Sequence, residues 1–236
     1  MHRVGLYPPE ALNGYLARVA DAGLVLDGLW THFACSSEDE RTTREQLERF
    51  LGAVEGARAA GHVPKYLHAA NSGAAILYPE SHLDLVRCGI AVVGQEPAPG
   101  VGAGLRPAMT WRSTVTMTKR LPAGERVSYG HRHRLEHDAT VATVPVGYAD
   151  GYPRSLSSRG DVLIRGRRCR VAGSVTMDQL IVDCGDLDVE ADEEVVLLGH
   201  QGEEVVTAWE LAERSETIAY EIVSRVGARV PREYTG

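Results

Sequence analysis

Seven short runs of this chain combine reactive side chains with glycine or small polar residues. They are Met1-His2-Arg3-Val4-Gly5, Thr31-His32-Phe33, His68-Ala69-Ala70-Asn71-Ser72, Val86-Arg87-Cys88-Gly89-Ile90-Ala91, Val127-Ser128-Tyr129-Gly130, Gly147-Tyr148-Ala149-Asp150-Gly151-Tyr152-Pro153-Arg154 and Met177-Asp178-Gln179. Ser72 stands at the start of a predicted helix and Gly89-Ile90 at the end of a predicted strand. A hydroxyl and free backbone N–H groups there would converge on an anion such as phosphate. Tyr129 and Tyr148 lie nineteen residues apart, each beside a glycine. Every one of these residues also has a structural account. Tyr129 suits a strand end, Gly147 to Arg154 a hairpin turn, Ser72 a helix N-cap and Arg87 a surface ion pair. His32 would serve as a hydrogen-bonded structural histidine, and Arg3 and Met177 carry no signal singly.

The elements that must hold these groups follow from periodicity. Pro8-Pro9 opens a helix in which Leu12, Tyr15, Leu16 and Val19 share a face, with Gly23 at its end. Leu24 to Phe33 predicts a strand buried on both faces. Ser37 with Glu40 predicts a capping box for a helix whose apolar stripe is Leu47, Phe50, Leu51 and Val54, ended by Gly61. Tyr66 to Ala69 predicts a short strand, Asn71 or Ser72 caps a brief helix that stops at Pro79, and Leu85 to Val93 predicts another strand. This alternation implies a parallel sheet, in which function sits at the strand C-terminal ends. His32, Asn71-Ser72 and Gly89-Ile90 all fall there.

Pro97 to Pro107 reads as a linker; its glycines lack the preceding strand and the Lys-Ser/Thr ending of a phosphate loop. Beyond it the period changes to two, from Trp111 to Thr118. Further strand-like runs are Ala139 to Val146, Val162 to Ile164, Arg170 to Val175, Leu180 to Val182 and Val195 to Leu198, with turns at Arg165-Gly166 and Gly185-Asp186. Short strands with Gly/Asp turns indicate an antiparallel β domain. Thr207 with Glu210 caps one helix, and Ser215 is expected to cap a second that carries Tyr220. The division is therefore a partial barrel over residues 1–105 and a β domain over residues 106–236.

A net charge of -7 argues against a nucleic-acid surface. No apolar run reaches the length of a membrane span, and the N-terminus lacks a signal peptide's apolar core. Cys35, Cys88, Cys169 and Cys184 are scattered without CxxC pairing, which predicts a reduced, cytoplasmic chain with neither a disulfide framework nor a zinc knuckle.

In order and approximate spacing, the seven runs resemble the motifs of alanine racemases, from residue 1 to Tyr234. The resemblance implies a (β/α)8 barrel followed by a β domain, the cofactor pyridoxal 5'-phosphate, and interconversion of L- and D-alanine, which supplies D-alanine for peptidoglycan. It assigns Tyr129 as the base that acts on the L-isomer. A phenol titrates near pH 10, so such a base needs a cationic or hydrogen-bonded partner. By resemblance that partner is His32, which contacts Arg87, and Arg87 faces the pyridine nitrogen. Ser72, Gly89, Ile90 and Tyr220 match the phosphate site. Arg3 and Met177 match the groups holding the substrate carboxylate, while Tyr148, Asp178 and Asn71 match supporting positions. The resemblance further implies a homodimer in which the β domain of one subunit completes the site of the other.

Two departures stand out. Val93 replaces the family's usual tyrosine. More consequential, the family's cofactor lysine, in a Lys-Ala-(Asp/Asn)-Ala-Tyr-Gly-His type motif, has no counterpart. The chain has only Lys65, expected at the start of a strand, and Lys119, expected in the β domain. A closed barrel takes about 250 residues, so about four strands are expected to be missing, leaving unpaired apolar sheet edges. Three readings remain: a racemase shortened at its N-terminus, a non-catalytic partner or regulator of a full-length racemase, or a pyridoxal-phosphate protein without racemase activity. The β domain favours the first over the third.

Overall fold

Local spacing builds the first helix as expected. In the computed structural model, which describes residues 1–102 and 104–235, a short 3-10 turn at Pro9–Ala11 leads into α1 (Leu12–Asp21), with Leu16 buried and Gly23 at a positive φ of 69° just past its end. The expected linker at Pro97–Pro107 includes Ala103, which lies outside the described residues. The chain divides into two compact units, Met1–Arg106 and Pro107–Gly236.

In the first unit, β1 (Gly28–Trp30) and β2 (Tyr66–His68) pair in parallel, with Trp30 opposite His68. Between them runs α2 (Glu40–Ala59), which buries Thr43, Leu47, Val54 and Ala57. The expected Ser37 cap is corrected: Asp39 is the N-cap, its carboxylate accepting from the Thr42 N–H at 3.0 Å and from the Thr42 hydroxyl at 2.6 Å. Those bonds hold the Asp39 carboxyl below the usual carboxylate range. After β2 comes α3 (Ser72–Leu77), capped by Asn71. The small core of this unit is Phe33, Leu47, Ala69, Ala70, Ala74 and Tyr78.

Two strand expectations are corrected here. The strand predicted from Leu24 to Phe33 is only three residues long, and Leu24, Val25 and Trp30 are exposed rather than buried on both faces. No ladder forms over Leu85 to Val93. A single parallel bridge joins Asn71 to Arg87, and Ile90–Val93 is a 3-10 turn. Apolar runs announce burial, yet a strand also needs neighbours for its N–H and C=O groups, and the pairing available here ends after a few residues.

The second unit is built on an eight-stranded sheet. In chain order the elements are β3 (Trp111–Thr114), β4 (Met117–Leu121), β5 (Arg126–Val127), β6 (His133–Arg134), β7 (Ala139–Val144), β8 (Asp161–Ile164), β9 (Arg167–Val171), β10 (Leu180–Asp183), β11 (Glu194–Gln201), β12 (Glu204–Val206), α4 (Ala208–Ser215) and α5 (Ala219–Arg225). The large sheet runs β12-β11-β8-β9-β10-β7-β4, with β3 also paired to β11, and β5 and β6 form a separate ribbon. Every pair in these sheets is antiparallel. The predicted period-two run from Trp111 to Thr118 splits into β3 and β4 at Val115, which is fully buried. Thr207 caps α4, its side chain accepting from the Glu210 N–H at 3.0 Å. The Ser215 expectation is corrected: Ser215 is the last residue of α4, and α5 starts after Ile218 without a side-chain cap. No described helix is long and apolar enough to cross a membrane.

Candidate active site

In the first unit the C-terminal ends of β1 and β2 gather around one guanidinium. Arg87 donates from Nη1 to His68 Nδ1 at 2.6 Å, and from Nη2 to Thr31 O at 2.8 Å, Ala69 O at 3.2 Å and His32 Nδ1 at 3.3 Å. Its guanidinium also lies 5.2 Å over the Trp30 ring, and that ring stacks on His68 at 6.1 Å with planes 4° apart. These contacts fix the guanidinium from three sides. Because arginine has no acceptor, each histidine must present an unprotonated Nδ1, which leaves the ring proton on Nε2. Electrostatics agrees with a neutral ring in both histidines. Burial, then the charges of Arg87 and Arg3, push the His32 pKa down; burial and Arg87 do the same to His68. Burial also draws the Arg87 pKa below its ordinary value. His32 is therefore a neutral hydrogen-bond donor through Nε2, not a cation.

A second group in this unit is suited to an anion. The buried Ser72 begins α3, and its hydroxyl accepts from the Gly89 N–H at 3.0 Å and, more weakly, from the Ala91 N–H at 3.5 Å. Asn71 supports the turn, its Oδ1 accepting from the Ala74 N–H at 3.0 Å and from the Ser36 hydroxyl at 2.7 Å. A Cβ at Gly73 would overlap the Ser37 hydroxyl, so a larger residue there would displace that side chain. The Gly89 and Ala91 N–H groups thus converge on the Ser72 hydroxyl beside the Ile90 turn, which leaves the hydroxyl proton free to donate to an anion such as a phosphate. Arg3 is exposed, but its charge reaches His32.

In the second unit Tyr129, Tyr148, Met177 and Asp178 come together. They line a cleft of about 500 Å³ with Arg154 and the Ser174–Gln179 loop. Tyr129 sits in a 3-10 turn and is 73% exposed, so its phenol is presented rather than packed. The turn is fastened below: the Ser128 hydroxyl donates to Ser174 O at 2.9 Å and accepts from the Ser174 N–H at 3.0 Å. Loops 147–151 and 176–179 are stitched by Tyr148 N–H to Thr176 O at 2.9 Å and Ala149 N–H to Met177 O at 3.0 Å. Gly147 is where they touch, since a Cβ there would overlap the Thr176 and Met177 carbonyls. Arg229 clamps both loops, donating to Asp150 at 2.7 Å and Asp178 at 2.6 Å. Tyr220 lies on α5 and is 38% exposed.

Sequence reasoning missed the support around these groups. His68 and Trp30 face each other in the β1–β2 register, and that pairing gives His68 its place at Arg87. Arg229 carried no motif at all, and its partner Asp150 reads as an ordinary turn residue until the two loops are seen together.

A short parallel sheet with helices, followed by an antiparallel β unit, places the chain in the class of proteins that join part of a (β/α)8-type barrel to a β domain. Comparison with known proteins narrows the class. Family models described as "Alanine racemase, N-terminal domain" and "Alanine racemase, C-terminal domain" match residues 1–97 and 108–234. A curated alanine racemase from Symbiobacterium thermophilum is 50% identical over 242 residues, spanning 100% of this chain and 64% of that protein. The crystal structure of alanine racemase from the D-cycloserine producer Streptomyces lavendulae is similar with a TM-score of 0.93 at 44% identity, covering 100% of this chain and 64% of that one. Alanine racemase from Bacillus anthracis, solved with bound L-Ala-P, gives a TM-score of 0.92 at 35% identity, covering 98% and 61%. The chain belongs to the alanine racemase family, and it spans just under two thirds of the length of these relatives.

Proposed function

We propose that this chain carries the acid–base and anion-holding groups of an alanine racemase, which interconverts L- and D-alanine and so supplies D-alanine for peptidoglycan in the cytoplasm. The observation that carries this reading is the Arg87–His32–His68 cluster, in which a half-buried guanidinium donates to Nδ1 of both imidazoles and so leaves their ring protons on Nε2. In the proposal His32 donates that Nε2–H to the Tyr129 oxygen, which favours the phenolate needed to take an α-proton from L-alanine.

The residues present fit pyridoxal 5'-phosphate. Ser72, Gly89, Ile90 and Tyr220 would hold its phosphate, and Arg87 would face its ring nitrogen. When bound, the cofactor supplies the electron sink that α-proton removal requires. Arg87 gives up a proton far less readily than a carboxylic acid, so it would leave the ring nitrogen unprotonated and restrain side reactions. Arg3 and the Met177 N–H would hold the substrate carboxylate, with Tyr148, Asp178 and Asn71 in support. In a homodimer Tyr129, Tyr148 and Met177 of one subunit would serve the cofactor of the other.

Neither lysine suits the cofactor's carbonyl. Lys65 precedes β2, at the end away from Ser72, and stands 4.6 Å over the Tyr66 ring; Lys119 lies exposed on β4. The proposal therefore assigns that amine to a polypeptide segment outside these 236 residues. The test is to express the chain together with the lysine-bearing N-terminal segment of a relative and follow D-alanine formation from L-alanine. Turnover is expected, with Tyr129→Phe losing at least about 100-fold in the L-to-D direction, the scale of general base catalysis. Turnover that survives Tyr129→Phe undiminished refutes the base assignment. Assembly of both segments with no turnover of either enantiomer refutes the function.

A further inference from the structure

Two thiols that the proposed chemistry does not use face each other inside the β unit. In the β9–β10 pair Val171 lies opposite Val182 and Arg170 opposite Asp183, so one step further along the register Cys169 faces Cys184. The sheet geometry persists at that step. The Cys184 N–H donates to Thr140 O at 2.9 Å, and Cys169 is paired on its other side with Val162. The Ala172 N–H donates to Ile181 O at 2.7 Å, marking a hydrogen-bonded pair, so alternation makes 169/184 a non-hydrogen-bonded pair. Such pairs set Cα atoms about 4.5 Å apart, inside the roughly 4.4–6.8 Å that a disulfide spans. Both side chains lie in the same buried cluster as Val171 and Val182, and both cysteines are free.

We propose that Cys169 and Cys184 are an oxidative modification site, closed by hydrogen peroxide into a cross-strand disulfide that ties the base of the 172–179 loop carrying Met177. The Cys169 thiolate attacks one oxygen of the peroxide, the O–O bond breaks, and a sulfenic acid forms as the other oxygen leaves as water. The Cys184 sulfur then displaces the sulfenic hydroxyl, which leaves as a second water while the S–S bond forms. Two thiols lose two hydrogens and two electrons; one peroxide becomes two waters. Cys169 is the attacking thiol because the Arg167 charge beside it favours its thiolate, while each thiol otherwise donates to a carbonyl of its own strand, Cys169 to Arg167 O and Cys184 to Val182 O, both at 3.8 Å. Burial holds the Cys184 thiol protonated until it resolves the sulfenic acid. At 4% and 5% exposure the pair reacts only when the sheet opens locally, so only a small oxidant serves.

Treating the full chain with hydrogen peroxide, then unfolding, alkylating and mapping peptides without reduction, tests this. The expected product is a linked peptide pair containing Cys169 and Cys184, two hydrogens lighter than the reduced pair and absent from Cys169→Ser and Cys184→Ser. Cys88→Ser, which removes the exposed thiol of the other unit, is expected to keep the link. The oxidised β unit should also unfold at a higher temperature than the reduced one. Recovery of both Cys169 and Cys184 as alkylated thiols after Cys88 has reacted to completion overturns the proposal, as does a link that runs only to Cys88 or Cys35. Neither result bears on the racemase reading, which uses neither cysteine.

Discussion

At the scale of single residues, one guanidinium organises the first unit's chemistry. Arg87 spreads its bonds over two imidazoles and two carbonyls, a fork that lysine cannot reproduce. Replacing it by methionine removes a cation from both histidines. Their pKa values, followed by NMR titration, should rise yet stay below the ordinary histidine value, because burial is the larger cause for each. Unchanged values in the variant would show that Arg87 is not their electrostatic neighbour. Stability follows with a definite sign. Both folded-state values lie below the unfolded ones, so the unfolded chain takes up protons first as pH falls. Stability is at its full value above the ordinary histidine range and is lost as pH drops through the lowered folded values. Urea unfolding of the first unit at pH 7.5 and pH 5 checks this, and equal midpoints would contradict it.

At the scale of elements, loops are held by contacts between segments distant in sequence. Gly147 permits the 147–151 loop to lie against the Thr176 and Met177 carbonyls. Gly147→Ala should force the loops apart and break the Tyr148 and Ala149 bonds, seen as at least about tenfold faster hydrogen exchange at those amides, or about 1.4 kcal/mol in opening free energy. Protection that persists in the variant would mean the loops tolerate a methyl group. Helix α4 offers a simpler case. Thr207→Ala removes the bond to the Glu210 N–H and should cost about 1 kcal/mol, measured by denaturant unfolding of the β unit.

At the scale of the molecule, the two units differ in what they bury. The β unit closes a continuous core from Trp111 to Ile222 beneath an eight-stranded sheet. The first unit has two paired strands, a small core, and Trp30, Tyr66, Val86, Val92 and Val93 exposed. Apolar burial dominates folding free energy, so the β unit should be the more stable part. Limited proteolysis of the chain should cut first within residues 1–106 and leave a protected fragment from about Pro107 onward. Initial cleavage inside β7–β11 would reverse that ranking.

The seven runs were legible because their chemistry depends on residue type and order, which the chain states directly. The helix at Leu12, the Asn71 cap, the period-two strands and the Thr207 cap were equally readable, since each rests on contacts between near neighbours. What the sequence could not decide was pairing. Whether Leu85 to Val93 becomes a strand depends on what lies beside it, and only a single bridge at Arg87 forms. The proton positions on His32 and His68 were likewise hidden, because they follow from a guanidinium brought in from nineteen or more residues away. The same holds for the Arg229 clamp on Asp150 and Asp178, and for Cys169 opposite Cys184. Residue identity supplied the reactive groups; three-dimensional neighbourhood fixed their charge, tautomer and support, because desolvation and hydrogen bonding act through space, not along the chain.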